Sequence, residues 1–185
     1  MIVIHPYDPT TTFLKPLYEN KAGVELYTQK DSNSTIRRAL NHRAYQGETV
    51  MMLGHGWGQG LLADSSPAYK YDRLIINSSH VEFLRKVNCI GIWCNADVFA
   101  EKYKLKGIFT GMIISESQEA AMFKIPATEK ELKVENARLT ELFIVALQEC
   151  PQLSDIPAWF RTHAPMDTPL QRFNHNNIHY FTGED

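Results

Sequence analysis

Two uninterrupted apolar runs, each followed by a turn, dominate the hydrophobic pattern of this chain. Residues 49–53 run without polar alternation into the glycine-rich stretch LGHGWGQG, and residues 89–93 end in a similar way before polar Asn95. Continuous apolar runs of this length are typical of strands buried on both faces, as in a parallel α/β sheet. We therefore predict that these two runs are neighbouring interior strands of such a sheet.

The rest of the pattern alternates further short strands with helices. Glycine or proline, or polar residues able to cap a helix, separate most of these segments, as expected at element boundaries. A hairpin is predicted for 61–62 with 73–76, around the turn 64–67. Strands are predicted at 1–4, 24–28, 108–114 and 178–181, and helices at 13–20, 35–45, 80–86, 97–104, 129–150, after Ser115 and around Trp159.

This alternation predicts one α/β domain covering residues 1–185, a three-layer sandwich with a mainly parallel sheet. The order of the early elements, strand and helix in turn, is flavodoxin-like. No internal repeat or linker divides the chain, and its length suffices for a full core.

Composition narrows the classes of function. A net charge of −2 without a basic block does not favour nucleic-acid binding. The sequence lacks an apolar run of eighteen residues, so we expect no membrane span, and it lacks the pattern of a signal peptide. The three cysteines cannot all pair with one another. We expect free thiols and a cytoplasmic location.

Two residues that could carry catalytic chemistry follow the two central strands. His55 lies between Gly54 and Gly56 at the end of the first run, and Cys94 ends the second. Ligands bind beyond the carboxyl ends of parallel strands, and a thiolate beside an imidazole is the minimum apparatus for acyl transfer. A helix start and a histidinium near Cys94 would lower its pKa. The structural alternatives are a hydrogen-bonded core histidine and a cysteine that only packs.

Three segments resemble the caspase fold, and within that clan the CHAT-type and the gingipain- or separase-like branches. They are LGHG at 53–56, GIWCNAD at 91–97 and KGIFTGMIISESQEAAMF at 106–123. The last resembles the strand and helix that follow the nucleophile in that clan. The resemblance covers about residues 49–123, with a looser match in the order of elements before it.

The resemblance implies a cysteine endopeptidase, a hydrolase working through a thioester. His55 would be the general base and acid, Cys94 the nucleophile, and the amides of Gly56 and Cys94 the oxyanion hole. The partner would be a peptide or protein substrate, without a cofactor. A regulatory protein partner and a homo-oligomer both stay open.

The residues expected to contact substrate are Trp57, Ile92, Asp97 and Glu116. Many basic-specific members carry an acidic residue two places before the cysteine, where this chain has Ile92. We therefore expect poor cleavage after Arg or Lys unless Asp97 or Glu116 reaches the pocket. Asn95 and Ala96 stand where the family often has glycine. This departure keeps open an inactive caspase-like binding or sensing module.

A third alternative is another α/β enzyme, flavodoxin-like or hydrolase-like, that binds a small ligand at the His55 loop. No metal site is expected. His175 and His179 are four residues apart, but they lead into a predicted strand, where they would point in different directions. The sequence contains neither a CxxC motif nor a phosphate-binding loop that ends in Lys and Ser or Thr.

Overall fold

The structure is a computed structural model, and it describes residues 1–44, 48–63 and 73–184. The described strands are β1 (Ile2–Ile4), β2 (Glu25–Tyr27), β3 (Val50–Leu53), β4 (Gly56–Trp57), β5 (Gly60–Leu62), β6 (Leu74–Ile76), β7 (Cys89–Ile92), β8 (Lys106–Thr110) and β9 (Ile178–Thr182). The α-helices are α1 (Asn33–Ala44), α2 (Val81–Leu84), α3 (Ala96–Tyr103), α4 (Ser117–Met122), α5 (Glu129–Glu149), α6 (Ile156–His163) and α7 (Pro169–Asn176). Short 3₁₀ helices span Pro9–Leu17, Ser78–His80 and Leu153–Asp155.

A six-stranded sheet in the order β2-β1-β3-β7-β8-β9 forms the centre of the fold. The five strands from β2 to β8 run parallel, and β9 pairs antiparallel with β8. The predictions of a mainly parallel sheet and of adjacent central strands are therefore confirmed. The antiparallel edge strand makes the sheet mixed.

Helices cover both faces of this sheet because its strands alternate their side chains between two apolar clusters. Ile2, Ile4 and Met52 pack on one face with residues of α1, α2 and α3. Val3 and Met51 pack on the other face with the Pro9–Leu17 helix, α5 and α6. Both faces of β1 and β3 are thus buried, as their unbroken apolar runs predict.

Three local predictions differ from the structure. The segment predicted as a helix at 13–20 is the 3₁₀ helix Pro9–Leu17, which Asp8 caps by accepting a hydrogen bond from the Thr10 amide. The strand predicted at 108–114 ends at Thr110, since the next residue, Gly111, hydrogen-bonds to the Asn177 carbonyl. Helix α7 was not predicted. A capping box and a proline in its first turn mark its start in the sequence.

The predicted hairpin is present and larger than expected. Strands β5 and β6 pair antiparallel, and β4 joins them in a second, three-stranded sheet. The turn predicted at 64–67 lies outside the described residues. This small sheet begins directly after His55 and so fixes the direction in which the chain leaves β3.

Candidate functional site

His55 lies just beyond the carboxyl end of β3. Gly54 has a φ of +141°, a backbone conformation that residues with a side chain rarely adopt, and it turns the chain out of the strand. The His55 carbonyl then accepts a hydrogen bond from the Leu62 amide at 2.8 Å. The imidazole is half-buried, and the residue connects β3 of the large sheet to β4 of the small one.

Cys94 has the corresponding position on the neighbouring strand. Leu53 of β3 and Ile92 of β7 are paired in register, so His55 and Cys94 each stand two residues beyond this pair. Asn95 follows in the left-handed conformation, with a φ of 61°, and α3 begins at the next residue. Both predicted catalytic residues therefore lie at the same edge of the sheet.

Two acidic residues and a hydroxyl meet the His55 ring. Its Nε2 is 2.7 Å from Thr10 Oγ1, 3.7 Å from Asp8 Oδ1 and 3.6 Å from Glu116 Oε1. Glu116, an expected substrate contact, therefore does reach the site. Asp8 and Thr10 were not predicted as site residues. The sequence signal was present, because both follow the first predicted strand and thus belong to the same edge of the sheet.

The Cys94 thiol has a different partner. Its Sγ donates to Glu119 Oε1 at 3.8 Å, and it accepts a hydrogen bond from the Ile113 backbone. The second oxygen of Glu119 is fixed at the start of α4, where it accepts from the amides of Ser115 and Glu116 at 2.7 and 3.1 Å. Among the described residues, no hydrogen bond connects Cys94 to the His55 ring.

This environment raises the pKa of the Cys94 thiol to about 12. Burial is the largest cause, followed by the negative charge of Glu119, while the Ile113 hydrogen bond acts in the opposite direction and Glu116 adds a smaller increase. The expectation of a lowered thiol pKa is therefore wrong for this conformation. Burial and the acidic start of α4 together outweigh the hydrogen bond that favours the thiolate.

Gly56 is sterically required. A Cβ at this position would lie 2.3 Å from Trp93 Cδ1 and 2.5 Å from the Gly60 carbonyl oxygen. Gly56 faces Leu61 across the β4–β5 ladder, between positions that hydrogen-bond to the partner strand. Its amide consequently points away from β5, as an oxyanion-hole donor requires.

The other residues expected to contact substrate have different surroundings. Ile92 is 3% exposed and packs in the core against the α5 side of the sheet, so it does not border an open pocket. Asp97 accepts a hydrogen bond from the Val98 amide and lies 4.0 Å from His179 Nε2. Trp57 is half-buried, and its carbonyl accepts a hydrogen bond from the Trp93 indole at 3.2 Å.

A groove of about 570 Å³ opens beside His55, between the Pro9–Leu17 helix and the starts of α4 and α5. Thr10 and Glu116 belong to its wall and also contact the His55 ring. The rest of the wall combines apolar and charged side chains, among them Phe13, Leu132, Glu129 and Lys133. Its volume is within the range of pockets that bind small ligands in proteins.

Cys89 and Cys150 lie away from this edge of the sheet. Cys89 is fully buried in β7, and burial raises its pKa to about 12. Cys150 follows α5 and is half-buried. His175 is buried on α7 against Arg138, whereas His179 lies on β9. Among the residues described by the structure, no group of three His, Cys, Asp or Glu side chains is placed to hold a metal ion.

Within the described parts of the chain, none of the helices has both the length and the apolar composition needed to cross a bilayer. Comparison with known proteins gives no significant match to a family model, to a curated protein or to a solved structure.

Proposed function

We propose that this protein is a caspase-like cysteine endopeptidase that hydrolyses peptide bonds through a thioester on Cys94, with His55 as general base and acid. The observation that carries the proposal is the register of the two central strands. Leu53 pairs with Ile92, and the two chemically competent side chains both follow this pair on adjacent parallel strands. Their place at one edge of the sheet lets an imidazole and a thiol approach each other, as general acid–base chemistry between them requires.

The reaction passes two protons through His55, one in acylation and one in deacylation. The S–H bond of Cys94 breaks, its proton passes to His55, and the sulfur forms a bond to the carbonyl carbon of the substrate. The peptide C–N bond then breaks, and the leaving amine takes the proton from the imidazole. Water next loses a proton to His55 and attacks the thioester, which releases the carboxylic acid and returns the proton to the sulfur. The amides of Gly56 and Cys94 stabilise the oxyanion.

The conformation described here is a resting form of this enzyme. The Cys94 thiol is bonded to Glu119 and its pKa is raised, so almost no thiolate is present at neutral pH. Catalysis requires Glu119, near the start of α4, to withdraw from the thiol and the sulfur to approach the imidazole. Substrate entering the adjoining groove, or a regulatory protein partner, supplies this rearrangement.

The groove also suggests the chemistry of the substrate. Glu116 reaches both the His55 ring and the groove wall, and Glu129 adds a second acidic group there. Phe13 and Leu132 offer apolar surface for the stem of a long side chain. Arg or Lys near the cleaved bond fits this wall. The sequence predicted cleavage after these residues only if Asp97 or Glu116 reached the pocket, and Glu116 lines the groove.

A library of peptides carrying a thiol-reactive electrophile tests the proposal. We expect a subset with basic residues to modify Cys94, as mapped by peptide mass spectrometry, and His55→Ala to abolish that reaction. Cys150→Ala is the matched control and should react like the unaltered protein. Modification confined to Cys150, or equal modification of Cys94 by peptide and non-peptide reagents, would argue against a peptidase.

One observation favours a second function, a caspase-like binding module without catalysis. It is the pairing of the Cys94 thiol with Glu119, which opposes ionisation of the nucleophile. If Glu119→Gln, which removes this negative charge, still fails to react with any peptide electrophile, the binding module is the better description.

A further inference from the structure

The hydrogen bonds around His55 indicate which nitrogen of its neutral ring carries the proton. Thr10 Oγ1 lies 2.7 Å from His55 Nε2 and also 2.7 Å from Asp8 Oδ1. The three groups form a chain from carboxylate to hydroxyl to imidazole. Neither Asp8 nor Thr10 is part of the dyad proposed above.

Counting protons along this chain fixes the direction of each bond. A carboxylate has no proton to donate, so the single hydroxyl proton of Thr10 is donated to Asp8. The hydroxyl oxygen can then only accept from the ring. The His55 Nε2 therefore carries the proton, and the lone pair of the neutral ring lies on Nδ1.

The supporting segment is tightly held. Asp8 Oδ1 also accepts from the Thr10 amide at 2.8 Å, which caps the Pro9–Leu17 helix. The Asp8 carbonyl accepts from the Thr11 amide at 3.2 Å, and the Thr11 hydroxyl is 3.3 Å from the buried His5 ring. His5 in turn bonds to the Tyr18 hydroxyl at 3.0 Å. The carboxylate and hydroxyl that meet His55 consequently have little freedom to turn away.

Glu116 is the competing partner, since its Oε1 lies 3.6 Å from the same Nε2. This distance exceeds that of a hydrogen bond, whereas the Thr10 contact is within it. Glu116 also belongs to the start of α4, the element that must move before Cys94 can react. Thr10 belongs to a different element and would keep its contact with His55 during that movement.

We propose that Asp8 and Thr10 are positioning residues that hold His55 as the Nε2–H tautomer, so that Nδ1 is the nitrogen that receives the Cys94 proton. The catalytic role rests on the proposed peptidase function, whereas the tautomer and its hydrogen bond do not. The pair acts on the ring as the third group of a catalytic triad acts on its histidine.

The test is NMR spectroscopy of protein labelled with ¹⁵N in its histidine rings, with the His55 signals assigned through His55→Gln. At alkaline pH we expect the long-range pattern of an Nε2–H ring and a proton at Nε2 that exchanges slowly with water. Thr10→Val keeps the side-chain shape without the hydroxyl, and this slow exchange should be lost. Thr10→Ser should restore it.

Thr12→Val is the matched control, because Thr12 lies in the same 3₁₀ helix and donates to the Pro9 carbonyl at 2.8 Å instead. It should leave the His55 signals unchanged. An Nδ1–H ring in the unaltered protein, or slow exchange that persists in Thr10→Val, overturns the proposal.

A kinetic arm separates this inference from the peptidase proposal. Thr10→Val should reduce kcat by about 100-fold with little change in KM, as expected when a catalytic group is misoriented. Unchanged kcat overturns the positioning role. Absence of turnover in every variant, together with the expected NMR result, would refute the peptidase proposal and leave the tautomer assignment standing.

Discussion

The Cys94 thiol donates its hydrogen bond to Glu119, across 3.8 Å from Sγ to Oε1, and the carboxylate is itself held at the start of α4. A nucleophile would gain from a positive neighbour, but this one has a negative neighbour. Burial and this contact together keep the sulfur protonated, and the contact connects the thiol to the start of α4.

The first prediction concerns thiol reactivity in the resting protein. The Cys94 pKa of about 12 corresponds to a thiolate fraction of roughly 10⁻⁵ at pH 7. The thiolate of Cys89 is equally disfavoured, because this residue is fully buried and its pKa is also raised to about 12. We therefore expect Cys150, which is the least deeply buried of the three thiols, to react first with iodoacetamide. Mass spectrometry at short times gives the order, and early modification of Cys94 would contradict it.

The second prediction concerns the partner of the thiol. Glu119→Gln keeps the shape and an acceptor oxygen but removes the negative charge, which is the second-largest cause of the raised Cys94 pKa. The pKa should fall, and modification of Cys94 should speed up by about tenfold for each unit of that fall. The control is Glu101→Gln on the exposed side of α3. Equal rates in both variants would show that Glu119 does not hold the thiol.

The third prediction is a loss of stability in acid. Burial lowers the pKa of His80 to about 4, from an unfolded value near 6.5. Between these pH values the unfolded state binds more protons, so the free energy of unfolding falls as pH falls, by up to about 3 kcal/mol for this group. Above pH 6.5 the ring is neutral in both states, so His80 no longer lowers the free energy of unfolding. His5 is buried with a similarly lowered pKa and should act in the same direction.

Urea unfolding at pH 7 and pH 5 measures this effect. His80→Gln should be less sensitive to pH than the unaltered protein, whatever its stability at pH 7. His163→Gln alters an exposed histidine and should keep the full dependence. If His80→Gln retains that dependence, His80 is not the group responsible.

The fourth prediction concerns the glycine after His55. Gly56→Ala would place a Cβ 2.3 Å from the Trp93 ring, and overpacking of this kind costs about 1–3 kcal/mol. The Trp93 fluorescence should also change. Gly58→Ala is the comparison, because its Cβ would meet only the side chain of exposed Val98, at 2.8 Å. Thermal melts should show the larger loss for Gly56→Ala.

Local pattern alone was enough to predict the central sheet. The apolar runs of β3 and β7 have no polar face to expose, which predicts interior strands, and the preference for right-handed crossovers predicts that the two strands run parallel. The position of His55 and Cys94 at one edge follows from this. Helix α7 could have been predicted from its capping residues. The antiparallel direction of β9 could not, because it depends on α7 ending beside the carboxyl end of β8, where Ile178 pairs with Thr110.

Tertiary structure alone decided the chemical environment of the two side chains. Thr10 meets His55 across 45 residues, and Glu119 meets Cys94 across 25. Neither contact corresponds to a hydrophobic pattern in the sequence, because each depends on how the Pro9–Leu17 helix and α4 pack over the edge of the sheet. The sign of a pKa shift depends on such neighbours and on burial, so the sequence predicted a lowered thiol pKa where the fold raises it.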